Sequence, residues 1–499
     1  LRLDHIELVP EEKAGHPLFI ATDGRGNRLF TISHLHVTLE AGAGNMSVTN
    51  AEVEASAYLA RQLGFSEMAG MPVALGRLDL GLSIPAGAKL TGTPPGCSER
   101  PIWPQAGQFE VDVTLTGMNN IVYQGSHPDD GRIKLAPSAS LKNSSQADVP
   151  WIVQFNSLTS YPYTPADQHP FLVWNLYRIA DGRIEMLAGS GAKHAFFTIN
   201  VNCNSCGGNN VLWAQCEDIY SAGSNDMSQY QGPRSEVKAS LGEWEHCGSF
   251  FDPGCTGSQT GYAGDWHHRL LVDPTELQQP DAHYFMEAWY VIQYDVDIWN
   301  TMGFRPINPV PSASGWLMNP GPFSQGPAIS QWVAENNGDV LADHAVITIP
   351  SATPGAPYPE NMPQGHLRLL VRVREVAPGL YRYNYALQNY DFDRGLKAFR
   401  IGLTQNASVH DSFFGDVDAD SDNDWFFSVD SGVASFDAPP DNHLGWFSLF
   451  NFEIETDARP VTSTVTLDLG GDAVQPAIEV TTIGPSGAID LIFGDRFTP

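Results

Sequence analysis

The strongest ligand pattern in the chain is Asp416-Val-Asp418-Ala-Asp420-Ser-Asp422-Asn-Asp424, which sets carboxylates at alternate positions. Unneutralised carboxylates at this spacing repel one another, and a hard cation that takes many oxygen ligands is a physical reason for them to coexist. The pattern therefore points to calcium as a rigidifying ion. It is not an EF-hand, whose loop wants Gly at its sixth position and Glu at its twelfth; Ser421 and Phe427 stand there. The plain alternative is a solvated acidic turn between Phe414 and Trp425. His34-Leu-His36 places two imidazoles on one face of an expected strand over 32–39, a geometry that copper and zinc sites use, with no third ligand evident. In His267-His268 the side chains of a strand would point opposite ways, so only one could reach a site.

A third constellation is catalytic in type. His169, Lys193, His194, Asp218, Tyr220, Arg234 and Glu236 include an acid, a base and an anion clamp, which a hydrolase or lyase needs. The same residue types build buried structural networks, as an Arg234–Glu236 or Lys193–Asp218 pair would. No G-x-S-x-G, H-E-x-x-H, Walker or dinucleotide motif accompanies them.

The cysteines Cys97, Cys203, Cys206, Cys216, Cys247 and Cys255 are even in number, and all but the first crowd into one stretch. Cys203-Asn-Ser-Cys206 lacks the second C-x-x-C of a zinc knuckle, so disulfides are the better reading. Cys247 and Cys255 flank loop residues Gly248, Pro253 and Gly254 and are expected to pair. The pairing of the other four stays open.

These groups sit in a chain of 499 residues with 27 Lys+Arg against 57 Asp+Glu, a formal charge of −30. Such a balance excludes a nucleic-acid reader that works by neutralising phosphates. With 42% hydrophobic residues there is ample material for packed cores. No long uncharged apolar run occurs, so no transmembrane segment is expected. The start at Leu1 reads as a mature form from which an export signal has been removed.

Alternation of period two, bounded by Gly, Pro, Asn and Asp, dominates. It marks strands at 109–115, 367–374, 381–387 and 461–469, and 47 Gly with 36 Pro supply turns. One helix is expected, opened by a capping box of Thr49 and Glu52, carrying Val53, Tyr58, Leu59 and Leu63 on one face and closed by Gly64. The fold class is mainly β, with immunoglobulin-like or jelly-roll-like sandwich units. The domain reading is an N-terminal β-rich unit with the helix over 1–95 and a cysteine-containing β domain over 96–303. A Pro/Gly-rich connecting region over 304–364 and a C-terminal β-sandwich with the acidic loop over 365–499 follow.

Several segments together resemble a family of large secreted proteins of planctomycetes, myxobacteria and related bacteria. They are 168–178 running into 182–185, Lys193-His-Ala-Phe-Phe197, Cys216-Glu-Asp-Ile-Tyr220, Gly232-Pro-Arg-Ser-Glu236, Tyr284-Phe-Met-Glu-Ala-Trp-Tyr-Val291, 383–389 and 446–452. The match spans about residues 165 to 470. The family usually has Trp where Ala192 stands and a Gly-Thr-Leu-Tyr-Asn run where this chain has Phe447-Ser-Leu-Phe-Asn451. The resemblance implies secretion, disulfides and a C-terminal β-sandwich, and it brings no catalytic residues with it. The histidine pairs resemble those of copper monooxygenases built from two β-sandwich lobes, whose accompanying motifs are absent here.

Two functions follow. The first is a secreted bacterial cell-surface or extracellular-matrix protein, stabilised by disulfides and calcium, that self-associates or binds other surface components, as a subunit of an ordered assembly or filament. The second is a secreted metal- or His/Lys-dependent enzyme or binding protein acting on extracellular polysaccharide. Copper or zinc would then be held by His34, His36 or His267.

Overall fold

The alternating runs become strands, and the fold is mainly β, with three short helices among the described residues. The computed structural model describes residues 6–13, 16–23, 25–33, 36–40, 45–63, 72–81, 111–145, 148–151, 169–208, 210–334, 341–356, 359–418, 420–471 and 475–485. The chain divides into two compact units, Leu1–Thr93 with Asp343–Ala345, and Pro94–Ala342 with Val346–Pro499.

The first unit holds one antiparallel sheet, ordered Ile6–Lys13, His16–Asp23, Arg28–Ser33, Asn45–Ala55 and His36–Glu40, with Pro72–Gly81 also paired to Asn45–Ala55. Its helix, Ala57–Leu63, begins later than the Thr49–Glu52 box implies. Residues 49–55 are strand instead, because pairing on both sides outweighs a local capping signal. Ser56 takes over as cap: its Oγ accepts from the Leu59 N–H at 3.1 Å and donates to the Arg28 carbonyl at 2.6 Å.

The second unit is built around a seven-stranded sheet. Its order is Gln231–Gly232, Ala192–His194, Phe171–Ala180, His283–Val291, Met302–Ile307 and Ser324–Gln325, with Arg183–Gly189 also on Phe171–Ala180. On one face, Leu172, Trp174, Met286 and Tyr290 pack with Val113, Leu115, Leu135 and Leu141 of two smaller sheets. One of these is Glu217–Tyr220, Ala139–Asn143 and Val113–Gly117; the other includes Ile133–Pro137. On the opposite face, Phe171, Val173, Tyr177 and Trp289 join Leu370, Ala386, Phe447 and Leu449.

That second partner is the five-stranded sheet Leu341–Ile349, Gly365–Ala377, Leu380–Asn389, Ser448–Thr456 and Val409–Gly415. Its other face sets Tyr385 and Phe452 against Phe399 and Phe436 of a last five-stranded sheet, with ring centroids 4.7 to 5.2 Å apart. Strands of this last sheet include Leu396–Gly402, Val433–Asp437 and Val461–Leu469. Residues 304–364 contribute strands such as Val310–Ser312 and Gly315–Leu317 and the helix Ser330–Ala334.

Because Phe171–Ala180 is covered on both faces, its polar side chains must be satisfied inside. Asn175 Nδ2 donates to the Tyr177 hydroxyl at 2.9 Å and to the Phe447 carbonyl at 2.8 Å. The Tyr177 hydroxyl donates to Glu287 at 2.8 Å and accepts from Gln388 at 2.8 Å, and Tyr390 donates to Gln388 Oε1 at 2.7 Å. The Ala328 N–H closes on the other Glu287 oxygen at 2.9 Å. The network ties the seven-stranded sheet to the five-stranded one.

Burial pushes the Glu287 carboxyl up to about 7, against the hydrogen bonds of Ala328, Tyr177 and Gln388. Between its ordinary value of 4.5 and about 7 the folded chain holds a proton that the unfolded chain releases. This group's contribution to stability therefore falls as pH rises through that window. Glu287→Gln is expected to flatten the pH dependence of unfolding there, by at most about 3 kcal/mol in total. Denaturant titrations across a pH series check it, and an unchanged slope would mean that Glu287 is ionised throughout.

Candidate functional site

Lys193 and His194 lie on the three-residue strand Ala192–His194, which pairs with Phe171–Ala180 (Leu172 opposite Lys193, Phe171 opposite His194) and with Gln231–Gly232. Successive side chains of a strand point to opposite faces, so the two enter different cores.

Lys193 is completely buried. Its Nζ sits 3.5 Å from the centre of the Tyr220 ring and 4.5 Å from that of Phe196, and it has no hydrogen-bond partner. Burial holds its amine well below the ordinary lysine range, and the nearby Asp218 charge only partly opposes this. Asp218 and Tyr220 share the inward face of Glu217–Tyr220. Asp218 Oδ1 accepts from the Ile199 N–H at 2.8 Å, while Oδ2 is buried without a partner. Burial raises this carboxyl to about 6, with the Ile199 N–H and the Lys193 charge pulling the other way.

The Tyr220 hydroxyl is fully used. It accepts from the Phe196 and Phe197 N–H groups, each at 3.0 Å, and from Trp151 Nε1 at 3.2 Å, and it donates to the Phe197 carbonyl at 2.6 Å. Tyr290, on His283–Val291, completes the chamber with a buried hydroxyl that lacks a partner. Burial, then the charges of Tyr220 and Asp218, raise it well above the ordinary tyrosine value.

Across the strand, His194 Nδ1 and His169 Nε2 are 2.9 Å apart. His194 is boxed by Trp244, Phe171 and Phe251, with centroids 4.6 to 4.9 Å away. Burial, then the charges of His169 and Lys193, keep its pKa well below the ordinary value, so the imidazole is neutral. The box is tight: a Cβ on Gly232 would stand 2.9 Å from Phe251 and 3.2 Å from His194 Nε2. Glu236 adjoins it, accepting from the Phe250 N–H at 2.6 Å and Trp244 Nε1 at 3.4 Å.

Arg234 belongs elsewhere. It donates to the Phe447 carbonyl at 2.8 Å and to Asn175 Oδ1 at 2.7 Å, extending the Glu287 network, and burial brings it down to about 10. The sequence candidates thus fall into three places: Lys193, Asp218 and Tyr220 together; His169 and His194 with Glu236 beside them; and Arg234 in the inter-sheet network. Arg234 and Glu236 do not pair with each other.

The acidic run lies between Val409–Gly415 and Phe426–Asp430. Asp416, Asp418 and Asp420 each accept from the N–H two residues on, at 2.7 to 3.1 Å, and Asn442 Nδ2 donates to Asp416 at 2.6 Å. Burial, then the charges of neighbouring carboxylates, raise Asp424; in Asp416 the same effects outweigh its hydrogen bonds. Among the described residues, no group of three or more His, Cys, Asp or Glu side chains is arranged to hold a metal ion. His34 lies outside the described residues, as does the side chain of His36. His267 and His268 sit in a turn, with His268 at φ +57° and its ring edge-on to Phe250.

Cys247 pairs with Cys255, and Cys203 with Cys216. Cys206 is also disulfide-bonded, and Cys97 lies outside the described residues. No helix among the described residues is long and apolar enough to cross a membrane. Comparison with protein-family models and with curated proteins finds no match.

Sequence reasoning missed Trp151, Tyr290 and Glu287. Only Glu287 had a signal, as the lone carboxylate in the apolar run Tyr284-Phe-Met-Glu-Ala-Trp-Tyr-Val291. Tyr220→Phe would strip acceptor and donor from buried backbone and indole groups. It is expected to cost about 2–4 kcal/mol in denaturant unfolding, against about 1 kcal/mol for an ordinary lost hydrogen bond.

Proposed function

We propose that this chain is an exported structural β protein of a bacterial cell surface or extracellular matrix, which self-associates or binds other surface components. One observation carries the reading. Four of the residues with catalytic chemistry, His169, Lys193, His194 and Asp218, are at most 2% exposed, and they are packed between sheets. Groups that act on a polymer must meet it; these meet aromatic rings and backbone. Disulfides belong to oxidising compartments, and a charge of −30 keeps such a surface soluble. The resemblance to secreted planctomycete and myxobacterial proteins points the same way.

Calcium at Asp416–Asp424 is part of the proposal. The like-charge repulsion acting on Asp416 and Asp424 supports it. Binding would require the carboxylates to exchange backbone N–H partners for the ion.

The test is native mass analysis with elemental analysis of one sample, before and after chelator. Regular oligomers with calcium and without stoichiometric copper or zinc are expected. Calcium at a hundredfold excess over its dissociation constant should add about 2.7 kcal/mol of stability, and Asp418→Asn with Asp420→Asn should abolish that gain. A monomer holding one copper or zinc, or one that cleaves polysaccharide, would overturn the structural reading.

A further inference from the structure

The chamber around Lys193 contains three buried polar atoms without hydrogen-bond partners: Lys193 Nζ, Asp218 Oδ2 and the Tyr290 hydroxyl. Interiors rarely tolerate one such atom, and three in one place call for a chemical reason. Lys193 and Asp218 come from different sheets, the first from Ala192–His194 in the seven-stranded sheet and the second from Glu217–Tyr220 in the three-stranded one. Nζ rests 3.5 Å over the ring of Tyr220, two residues along the same inward face from Asp218. The Asp218 charge acts on Lys193, so the two share the chamber, and bond formation requires the lysine stem to swing Nζ from that ring to the carboxyl carbon.

We propose that Lys193 and Asp218 become joined by an intramolecular isopeptide bond, an amide that staples the two sheets together. The reaction is a condensation and needs no co-reactant. The lone pair of the neutral Nζ attacks Asp218 Cγ, forming one C–N bond. In the protonated form of the carboxyl, whose share burial increases, Oδ2 receives a proton from Nζ and departs as water, breaking one C–O bond. Oδ1 stays as the amide oxygen, and the Ile199 N–H that holds it at 2.8 Å stabilises the negative charge it gathers during attack.

The protonation states suit this step. An ammonium beside a carboxylate does not condense, but burial disfavours the charged form of both groups here. Phe196 and Tyr220 line the amine's side of the chamber and Trp151 closes on the Tyr220 hydroxyl. These walls keep out the bulk water that would favour the reverse hydrolysis. The amide would close a covalent loop from 193 to 218 that contains the Cys203–Cys216 disulfide. The inference does not rest on the proposed function, because it concerns the chain's own chemistry.

The experiment is the intact mass of the purified full chain, denatured and fully reduced, followed by peptide mapping. The expected mass is one water below that of the sequence. Digestion should yield a branched peptide joining the Lys193 and Asp218 segments, uncleaved by trypsin after Lys193. Lys193→Ala and Asp218→Ala should each restore the full sequence mass. A wild-type mass equal to the sequence overturns the proposal, and so does a deficit that persists in Lys193→Ala. The wild-type protein decides the first point alone, so a variant that fails to fold does not rescue the idea.

Discussion

The constraint on which the second unit depends is that the strand Phe171–Ala180 is buried on both faces. Most sheets in antiparallel proteins keep one face wet and can place polar side chains there. This strand has no wet face, and its odd and even residues belong to two separate hydrophobic clusters. Apolar residues meet that demand at Phe171, Leu172, Val173, Trp174 and Leu176. Asn175 and Tyr177 meet it only because Glu287, Gln388, Arg234 and the Phe447 carbonyl arrive from elsewhere in the chain. Phe447 itself holds φ +53°, a conformation that bulky residues avoid; its N–H donates to the Tyr390 carbonyl at 2.9 Å and its carbonyl receives two donors. The polar network is thus a condition for stacking one sheet on another, and the strained residue is held by it.

The residues that look catalytic acquire their unusual properties from the same burial. An enzyme shifts a pKa by withdrawing a group from water, and so does a close-packed core. What separates the two cases is access and satisfaction. Glu287 has a hydrogen-bond partner on each oxygen, so its raised pKa reflects the burial of a carboxyl whose own bonds are made. Lys193, Asp218 and Tyr290 are equally buried, and each keeps a polar atom unpartnered. A finished network explains its own presence by stability, whereas the unfinished one asks for a reaction or a ligand.

Much of the local structure could be read from residue pattern. The strand expected at 461–469 is Val461–Leu469, and those expected at 367–374 and 381–387 fall inside Gly365–Ala377 and Leu380–Asn389. Of the strand expected at 109–115, the structure describes residues from 111 on, and the strand begins only at Val113, with Val111 an isolated bridge to Asp295. The Cys247–Cys255 bond was legible because a short loop leaves each cysteine near the other. Helix placement failed at Thr49, where a capping signal spanning four residues competed with two neighbouring strands. The inter-sheet network was illegible for a related reason. Asn175 and Phe447 are 272 residues apart, and no local pattern encodes that they meet. The roles of Arg234 and Lys193 could be weighed as structural or catalytic from sequence, but their assignment to different clusters depended on strand parity and pairing.

The charge distribution follows from the same architecture. A formal charge of −30 would destabilise a compact chain if it reached the interior. Three of the interior carboxyls are instead pushed toward their neutral forms: burial raises Asp218, Glu287 and Asp295, the last further pushed up by Asp112. Negative charge at the surface is screened by water and counterions. The deep apolar stack then supplies cohesion that does not weaken with surface repulsion, and the acidic exterior limits which neighbours the protein can meet. Close contact between two bare acidic faces is opposed at any salt low enough to leave the charges unscreened.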